Sequence, residues 1–361
     1  ALSIHPYTSF WGYYSRFHQG LASTLAYLIL FWAAVSNLNK NEAEKILNIG
    51  LVSGFMVALW GILERLGIDK NYWIQDVQNR VFSTLGQPNW LAAYLDILIF
   101  INFFFLFNSK NVLFSKFYIL NSIFYLCLLF TKSRSGLVGF GAGLITIYLS
   151  GLISHSFKKI FKATFPWLVT VVILTVLIGV PFDYNFKDIF RMEPPQSELT
   201  ENILETVPLL ITPSEEIRKI VWQGAINLWK KYPLFGTGIE TFAYTYYWVR
   251  PASHNLTSEW DFLYNKAHNE YLNYAATTGT VGLLAYFLLI GVFAFWSLSK
   301  IFKREKLENS QISSLTMAFF AAYISILVTN FFGFSVTVVS IWFYLLPAFS
   351  FLLATLPQSL S

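Results

Sequence analysis

Charged residues and cysteines are both scarce in this sequence. Only 12% of its 361 residues are Asp, Glu, Lys or Arg, about half the share that is typical of soluble globular proteins. The single cysteine, Cys127, excludes a disulfide framework and a cysteine-based metal site. The net charge of +5 does not indicate a nucleic-acid partner, because nucleic-acid binding requires a clustered basic patch.

Apolar residues occur instead in long continuous runs. Hydrophobic residues make up 55% of the chain and aromatic residues 19%, which excludes a disordered protein. A helix needs about 20 mostly apolar residues to cross a membrane, and nine runs approach that length. We therefore predict an all-α polytopic membrane protein. The predicted spans are 20–36, 46–63, 90–107, 113–130, 136–154, 164–181, 271–297, 311–332 and 334–355.

Lysine and arginine are distributed unevenly among the loops between these spans. Eleven of them lie in four loops, 37–45, 108–116, 155–163 and 298–310. The alternate segments have less net positive charge, so the positive-inside rule predicts that the four basic loops face the cytoplasm. The segments predicted to face outward are 1–19, 64–89, 131–135 and 182–270.

The predicted chain has three parts. Residues 1–181 hold six spans, residues 182–270 form a large extracytoplasmic loop, and residues 271–361 hold three spans. Apolar residues at helical spacing over 217–229 predict an amphipathic helix in the loop, and Thr212 fits the start of a capping box before it. The chain begins without an initiator Met or a signal region. We expect that further N-terminal spans are missing, and the alternative is a processed or trimmed chain.

A short outward-facing turn after the fourth predicted span contains two basic residues. Lys132 and Arg134 break the inside bias for positive charge, and Arg134 opposes the dipole of a helix predicted to begin near Gly136. Backbone N–H groups and serine hydroxyls at such a helix start attract anions. One interpretation is a phosphate or diphosphate site formed by Arg134 and Lys132. The alternative is an arginine that pairs with lipid headgroups.

The predicted loop helix carries another cation beside its apolar face. Arg218 borders that face, and Trp222 follows one turn later on the same side. In this position Arg218 would cap a pocket beneath the helix. The alternative is a solvated arginine that pairs with Glu215 or Glu216 at helical spacing.

A histidine immediately precedes the seventh predicted span. We expect His268 on the first turn of that helix, where the helix dipole favours the neutral imidazole. A neutral histidine that faces a water-accessible cavity can act as a general base toward a hydroxyl, and the alternative is a histidine bonded to loop backbone. His254 is the rival base, although its segment is typical of a loop tip. We find no His, Asp or Glu cluster with metal-ligand spacing and predict no metal site.

Four short motifs occur in order between residues 80 and 290. They are Arg80 with Gly86-Gln87-Pro88-Asn89; Ser133-Arg134-Ser135-Gly136; Arg218 and Trp222 with Tyr232-Pro233-Leu234-Phe235-Gly236-Thr237-Gly238; and His268-Asn269-Glu270-Tyr271-Leu272 with Gly279-Thr280-Val281-Gly282-Leu283. Together they resemble the O-antigen ligase family of membrane glycosyltransferases. This group includes related polysaccharide polymerases and protein O-oligosaccharyltransferases.

The resemblance implies transfer of a glycan from an undecaprenyl diphosphate carrier to an acceptor hydroxyl outside the membrane. It implies no nucleotide sugar, metal or cofactor, and direct displacement would invert the anomeric centre. It also implies that His268 is the base and that Arg134 and Arg218 bind the diphosphate. The residues expected to bind substrate are Arg80, Asn89, Lys132, Trp222, Asn269 and Tyr271.

The implied location is the bacterial inner membrane, with the active site facing the periplasm or outside. The acceptor is lipid A-core or another glycolipid, a polysaccharide or a protein, so a polymerase and a protein O-oligosaccharyltransferase remain alternatives with the same donor. A lipid-glycan transporter is an alternative from another class, since Asp96 lies within the third predicted span. A structural scaffold would not need outward-facing arginine and histidine at helix starts.

Overall fold

The computed structural model of the chain describes residues 2–14, 18–107, 109, 112–113, 115–182, 212–302 and 310–355. Residues 183–211, the first part of the predicted extracytoplasmic loop, lie outside the described residues. All regular structure in the described part is helical. The helices are α1 (Pro6–Trp11), α2 (Leu21–Asn37), α3 (Lys40–Arg65), α4 (Pro88–Phe107), α5 (Lys116–Phe130), α6 (Arg134–Ile153), α7 (Phe157–Ile178), α8 (Ser214–Lys231), α9 (Phe242–Thr245), α10 (Glu270–Phe302), α11 (Ser310–Phe331) and α12 (Thr337–Thr355).

A helix occupies each of the nine predicted spans. By length and composition, seven of these helices are able to cross a membrane: α3, α4, α6, α7, α10, α11 and α12. This agrees with the predicted polytopic membrane protein. The other two, α2 and α5, are apolar but have only 17 and 15 residues.

Helix α4 forms the centre of the bundle. In its most apolar window 89% of the residues are buried, against 17% in α7, so protein encloses α4 whereas α7 lies at the rim. Helix α4 packs against α5, α6 and α11, and α11 also packs along α6. Because α11 follows the loop and α4 and α6 precede it, one hydrophobic core joins the predicted N-terminal and C-terminal sets of spans.

Helix α8 has the amphipathic character that the sequence predicts. Its apolar side chains are buried against α10 and the loop that follows α8. The helix begins at Ser214 without a side-chain cap, so the predicted capping box at Thr212 is wrong. The Thr212 hydroxyl instead accepts a hydrogen bond from the Ser258 N–H at 2.9 Å, and the Thr212 N–H donates to the Ser258 hydroxyl at 3.1 Å. This reciprocal pair fixes the entry to α8 on the loop.

Helix α10 is interrupted at Gly279, where φ is 66° and ψ is −168°. The loop after α8 occupies the interruption. The Thr280 N–H donates to the Pro233 carbonyl at 2.8 Å, and the Val281 N–H donates to the Leu234 carbonyl at 3.1 Å. Two of the sequence motifs therefore meet here through their backbones, because the loop carbonyls replace the helical acceptors that the break removes.

We expect Gly279→Ala to destabilise the protein strongly. The backbone conformation at this position is essentially restricted to glycine and costs other residues about 1–3 kcal/mol. A Cβ at this position would also lie 2.3 Å from the Leu234 carbonyl oxygen. Thermal unfolding in detergent would measure the loss. Gly291→Ala is the matched control in the same helix, because a Cβ there meets nothing within 4 Å; equal unfolding temperatures for the two variants would contradict the prediction.

Candidate functional site

A cavity of about 790 Å³ opens at the end of the bundle where α4, α6, α8 and α10 begin. Residues at or just before the start of each of these four helices line its wall. Helix starts present unpaired N–H groups and the positive end of the helix dipole, so their convergence favours an anion. The ionisable side chains on the wall are Arg80, Lys132, Arg134, Glu215, Arg218, Glu259, Tyr264 and His268.

The wall carries a positive charge. We call Arg80, Lys132, Arg134 and Arg218 the cation cluster. With the carboxylates of Glu215 and Glu259, it leaves a net charge of +2 on the wall when His268 is neutral. In the part of the chain that the structure describes, no group of three His, Cys, Asp or Glu side chains is arranged to hold a metal ion. The basic side chains and the helix starts on this wall both attract an anion.

The turn that presents Arg80 is fixed by a buried carboxylate at the end of α3. Glu64 accepts hydrogen bonds from the Phe82 N–H at 3.0 Å and from the Ser83 N–H at 2.7 Å. Ser83 has a positive φ of 53°, and these bonds hold the chain in that conformation. The sequence contains no signal for this interaction, because Glu64 resembles a residue at a helix end near water.

Arg80 bridges two of the sequence motifs. Its Nε donates to the Thr131 carbonyl at 3.1 Å and its Nη2 donates to Asn89 Oδ1 at 3.0 Å. The Ser133 hydroxyl also donates to Asn89 Oδ1, at 2.8 Å. Burial, followed by the charge of Arg218, lowers the pKa of Arg80, although an arginine stays protonated at neutral pH. Like charges held this close favour a bound anion.

Arg134 and Lys132 lie on the cavity wall, and both form hydrogen bonds with other residues of the chain. Arg134 Nε donates to the Pro181 carbonyl at 2.7 Å, and its Nη1 forms an ion pair with Glu215 at 2.6 Å. Both side chains of this pair are exposed. Lys132 has a positive φ of 47° and donates to the Asn79 amide oxygen. The ion pair therefore joins the start of α6 to the start of α8 across the cavity.

Arg218 differs from the other arginines of the cation cluster. It is half-buried, and among the described residues it forms no hydrogen bond or ion pair. The predicted alternative pairing with Glu215 is not formed, because that carboxylate bonds to Arg134. Burial lowers the pKa of Arg218, whereas Glu215, Tyr264 and Glu259 raise it. Its guanidinium is thus a desolvated cation with donors available to a ligand.

His268 lies on the same cavity wall as the cation cluster. Its backbone is left-handed, with φ at 51°, and α10 begins two residues later at Glu270. The expected position on the first helical turn is therefore wrong. The half-buried imidazole is held edge-on by Tyr264 and Phe334, with ring centroids 5.6 and 5.5 Å away. This placement directs the ring at the cavity from a rigid aromatic setting.

Three residues predicted to bind substrate do not line the cavity. The Trp222 ring packs edge-on against Phe331 of α11 at 5.5 Å. Asn269 Oδ1 accepts a hydrogen bond at 3.0 Å from the third residue of α10 and so caps this helix. The Tyr271 hydroxyl donates to the Leu327 carbonyl at 2.8 Å. All three support the helices that form the wall.

The rival base His254 is fully buried in a 3₁₀ turn, Ala252–Leu256, and is not at a loop tip as predicted. Its Nδ1 bonds with the Tyr246 hydroxyl at 2.7 Å, and its Nε2 lies 3.2 Å from the Glu259 carbonyl oxygen. Burial and then the charge of Arg250 lower the pKa of His254. Because it does not line the cavity, His254 is a structural residue of the loop.

Glu259 and Tyr264 are wall residues that sequence reasoning missed. The Tyr264 hydroxyl donates to the Glu259 carboxylate, and the Tyr264 ring contacts His268. Trp90 and Phe334 complete the aromatic part of the wall and contact each other at 6.0 Å. Trp90 directly follows Asn89, a residue of the first sequence motif, so its place near the site could have been predicted. Glu259 and Tyr264 lie in an irregular segment without a periodic pattern, and Phe334 lies in a remote turn.

Comparison with known protein families gives a match. The family model described as O-antigen ligase covers residues 118–287, which confirms the resemblance predicted from the motifs. The matched residues include Arg134, Arg218 and His268, whereas Arg80 and Asn89 precede them. A search of curated proteins finds no match.

Proposed function

Because residues 118–287 belong to the O-antigen ligase family, we propose that the protein is a membrane glycosyltransferase that uses a lipid-linked glycan. Its donor is a glycan on undecaprenyl diphosphate, and its acceptor is a hydroxyl of a glycolipid such as lipid A-core. The observation that carries this proposal is that His268 and the cation cluster line one cavity. Such a wall provides a base and an anion site for the same bound donor.

The charge of the wall suits a diphosphate that links a lipid to a sugar. Such a diester carries one negative charge on each phosphate, which the net charge of +2 on the wall balances. When the sugar leaves, the diphosphate gains a further negative charge. Basic groups fixed before the reaction stabilise this developing charge without reorganisation. The cation cluster thus supplies the stabilisation that a metal ion supplies in other transferases.

The proposed step has a simple bond balance. The acceptor oxygen forms a bond to the anomeric carbon while the bond between that carbon and the diphosphate oxygen breaks. His268 takes the acceptor proton, and undecaprenyl diphosphate departs with the electron pair of the broken bond. Attack occurs from the face opposite the leaving group, so the anomeric centre is inverted.

The direction in which the cavity faces follows from the distribution of charge. Helices α4, α6 and α10 begin at the cavity and each precedes a basic loop in the sequence; the positive-inside rule assigns the basic loops to the cytoplasm. We therefore propose a location in the bacterial inner membrane with the cavity open to the periplasm or outside. Membrane lipids surround the bundle, and the lipid tail of the donor stays in the bilayer while its diphosphate enters the cavity.

Transfer by the purified protein in lipid nanodiscs tests this function. The donor is a synthetic oligosaccharide on a polyprenyl diphosphate, and the acceptors are a lipid A-core glycolipid, a second donor molecule and a Ser/Thr peptide in separate reactions. We expect one glycan added to the glycolipid, with inverted anomeric configuration by NMR. Long products from donor alone indicate a polymerase, and peptide products indicate a protein O-oligosaccharyltransferase. Absence of transfer to all three acceptors contradicts the proposal.

Transport without covalent chemistry finds less support in the structure. A transporter would use a broken helix to bind its substrate within the membrane. The break of α10 at Gly279 is instead occupied by backbone from the loop after α8. Asp96, the intramembrane acid, is fully buried beside Gly139 of α6 and Thr329 of α11, and it does not line the cavity.

Glu215→Gln is expected to strengthen donor binding. Glu215 holds one donor group of Arg134, so the incoming diphosphate must compete with this carboxylate. Exposed ion pairs contribute up to about 1 kcal/mol, and their loss is expected to lower the donor KM by up to about fivefold at low ionic strength. Initial rates over a range of donor concentrations measure this change.

Glu216→Gln is the matched control for this experiment. Glu216 is exposed on the same turn of α8 but does not line the cavity. The control removes the same charge from the helix start, and we expect an unchanged KM. A higher KM in Glu215→Gln than in Glu216→Gln would show that Glu215 assists the donor instead of competing with it.

A further inference from the structure

A buried charged network lies behind His268, outside the cavity wall. Lys266 and Glu240 form an ion pair although their side chains are only 1% and 3% exposed. The pair belongs to two different parts of the loop, the segment before α9 and the segment before α10. Burying two charges is costly unless their remaining hydrogen-bond donors and acceptors also have partners. The other contacts of Lys266 and Glu240 are therefore informative.

Gln19 connects the two flanks of His268. Its Oε1 accepts a hydrogen bond from the Lys266 ammonium, and its Nε2 donates to Glu270 Oε1 at 2.9 Å. Lys266 and Glu270 lie two residues before and two residues after His268. One side chain from the segment before α2 thus binds both ends of the five-residue stretch that contains the base.

The same network also fixes an aromatic neighbour of the base. The Lys266 ammonium lies over the ring of Phe334, 5.8 Å from its centroid, and this ring contacts the imidazole of His268 edge-on. Gln19 Nε2 donates to the carbonyl of the next residue, Ser335, at 2.8 Å. Lys266 therefore acts on His268 through the backbone and also through the ring that packs against it.

The backbone at His268 requires such support. Its φ of 51° is a conformation that residues other than glycine rarely adopt, and it persists only where the surroundings enforce it. Asn273 contributes by accepting a hydrogen bond from the Ala267 N–H at 3.3 Å. The backbone just before the base is thus held while its ring is left on the cavity wall.

We propose that Lys266, held by Glu240 and Gln19, is a positioning residue for the base His268. This inference rests on the proposed function. Lys266 does not line the cavity, so it acts through His268 and not on the substrate. Its removal is expected to slow the chemical step and to leave donor binding unchanged. A misplacement of about 1 Å between reacting groups can lower a rate about 100-fold.

The test compares Lys266→Met with the double variant Lys266→Met/Glu240→Met. The single variant leaves a buried carboxylate without its cation, which destabilises the fold, whereas replacing both partners by apolar residues is often neutral for stability. For both variants we expect a kcat about 10- to 100-fold lower per folded molecule. The donor Kd, measured by direct titration, is expected to stay within about twofold. Lys45→Met removes an exposed lysine from α3 and serves as the control.

A background without the base separates positioning from an independent role. A radiolabelled donor makes the low residual rate of His268→Ala measurable. Adding the two methionine substitutions to His268→Ala is expected to lower that rate no further, because the effects of residues that act as a unit are not additive. An unchanged kcat in the double variant would overturn the inference, and so would an equal loss in the presence and absence of His268. Wild-type activity of His268→Ala would instead overturn the proposed base. The positioning role of Lys266 toward that base would then be overturned with it, whatever the kcat of the methionine variants.

Discussion

His268→Ala is expected to lower the rate of glycan transfer by about 100- to 10,000-fold, the range that a positioned general base contributes. The imidazole is the group on the cavity wall that is suited to accept a proton from a hydroxyl near neutral pH. Without the imidazole, the acceptor hydroxyl must transfer its proton to water, which is a much weaker base. The rate per folded molecule with a saturating donor measures the effect.

The donor Kd is expected to change little in the same variant. The cation cluster, which we propose to bind the diphosphate, stays intact when the imidazole is removed. Tyr264 and Phe334 hold the ring from two sides, so the substitution leaves a space between them without disturbing the helices. A loss confined to kcat would therefore indicate a role in the chemical step, whereas a loss confined to donor binding would contradict the assignment as base.

His155→Ala is a suitable control because His155 is exposed at the other end of the bundle, between α6 and α7. It removes an imidazole without approaching the cavity, and we expect wild-type activity. His254→Ala is not suitable, since the loss of a buried ring that bonds with Tyr246 disturbs the loop itself. Near-normal transfer by His268→Ala, at an unchanged unfolding temperature, would exclude this residue as the base.

Arg218→Lys is expected to lower kcat/KM about 10- to 100-fold, which corresponds to about 1.4–2.7 kcal/mol of transition-state stabilisation. Lysine keeps the positive charge but loses the planar fork that binds two phosphate oxygens at once. The effect is expected at this position because Arg218 is half-buried and forms no hydrogen bond or ion pair among the described residues. Its donors therefore remain available to the leaving diphosphate.

The matched control is Arg65→Lys, the same chemical change at an exposed arginine outside the cavity. Arg65 bonds to the Gln78 carbonyl, and a lysine there keeps one donor. We expect wild-type kinetics for this control. Wild-type kinetics for Arg218→Lys as well would show that a point charge is enough at this position, and the proposed bidentate contact with the diphosphate would be wrong.

The helices of the membrane region were largely predictable from the sequence. A run of about 20 apolar residues has few stable conformations in lipid other than a helix, because each backbone group must find a partner within the segment. This explains why a helix occupies each predicted span. The length of α5 differs from the prediction, since it begins at Lys116 and not at residue 113. The start of α5 depends on the N-cap Ser115, whose side chain accepts a hydrogen bond from the Phe117 N–H, and hydropathy does not register such a cap.

The candidate site was predictable in part. Three of the predicted residues that line the cavity, Arg134, Arg218 and His268, drew attention because a charge or an imidazole at a helix start or beside an apolar face is unusual in a membrane protein. The position of Trp222 one turn after Arg218 predicts a substrate contact, but its ring packs on Phe331 of α11 instead. Spacing along a helix indicates which face a side chain occupies, but it does not indicate what that face meets.

The sequence by itself determined that this protein is helical and apolar, where its spans lie, and that residues 118–287 match the family model described as O-antigen ligase. These properties follow from local composition and from short motifs. The tertiary structure decided which basic residues share one cavity, that His254 is buried, and that Gln19 bonds to Lys266, which lies 247 positions away in the chain. Such contacts form only when distant helices pack, because the partners of a buried polar group are selected by its place in the fold and not by its neighbours in the chain.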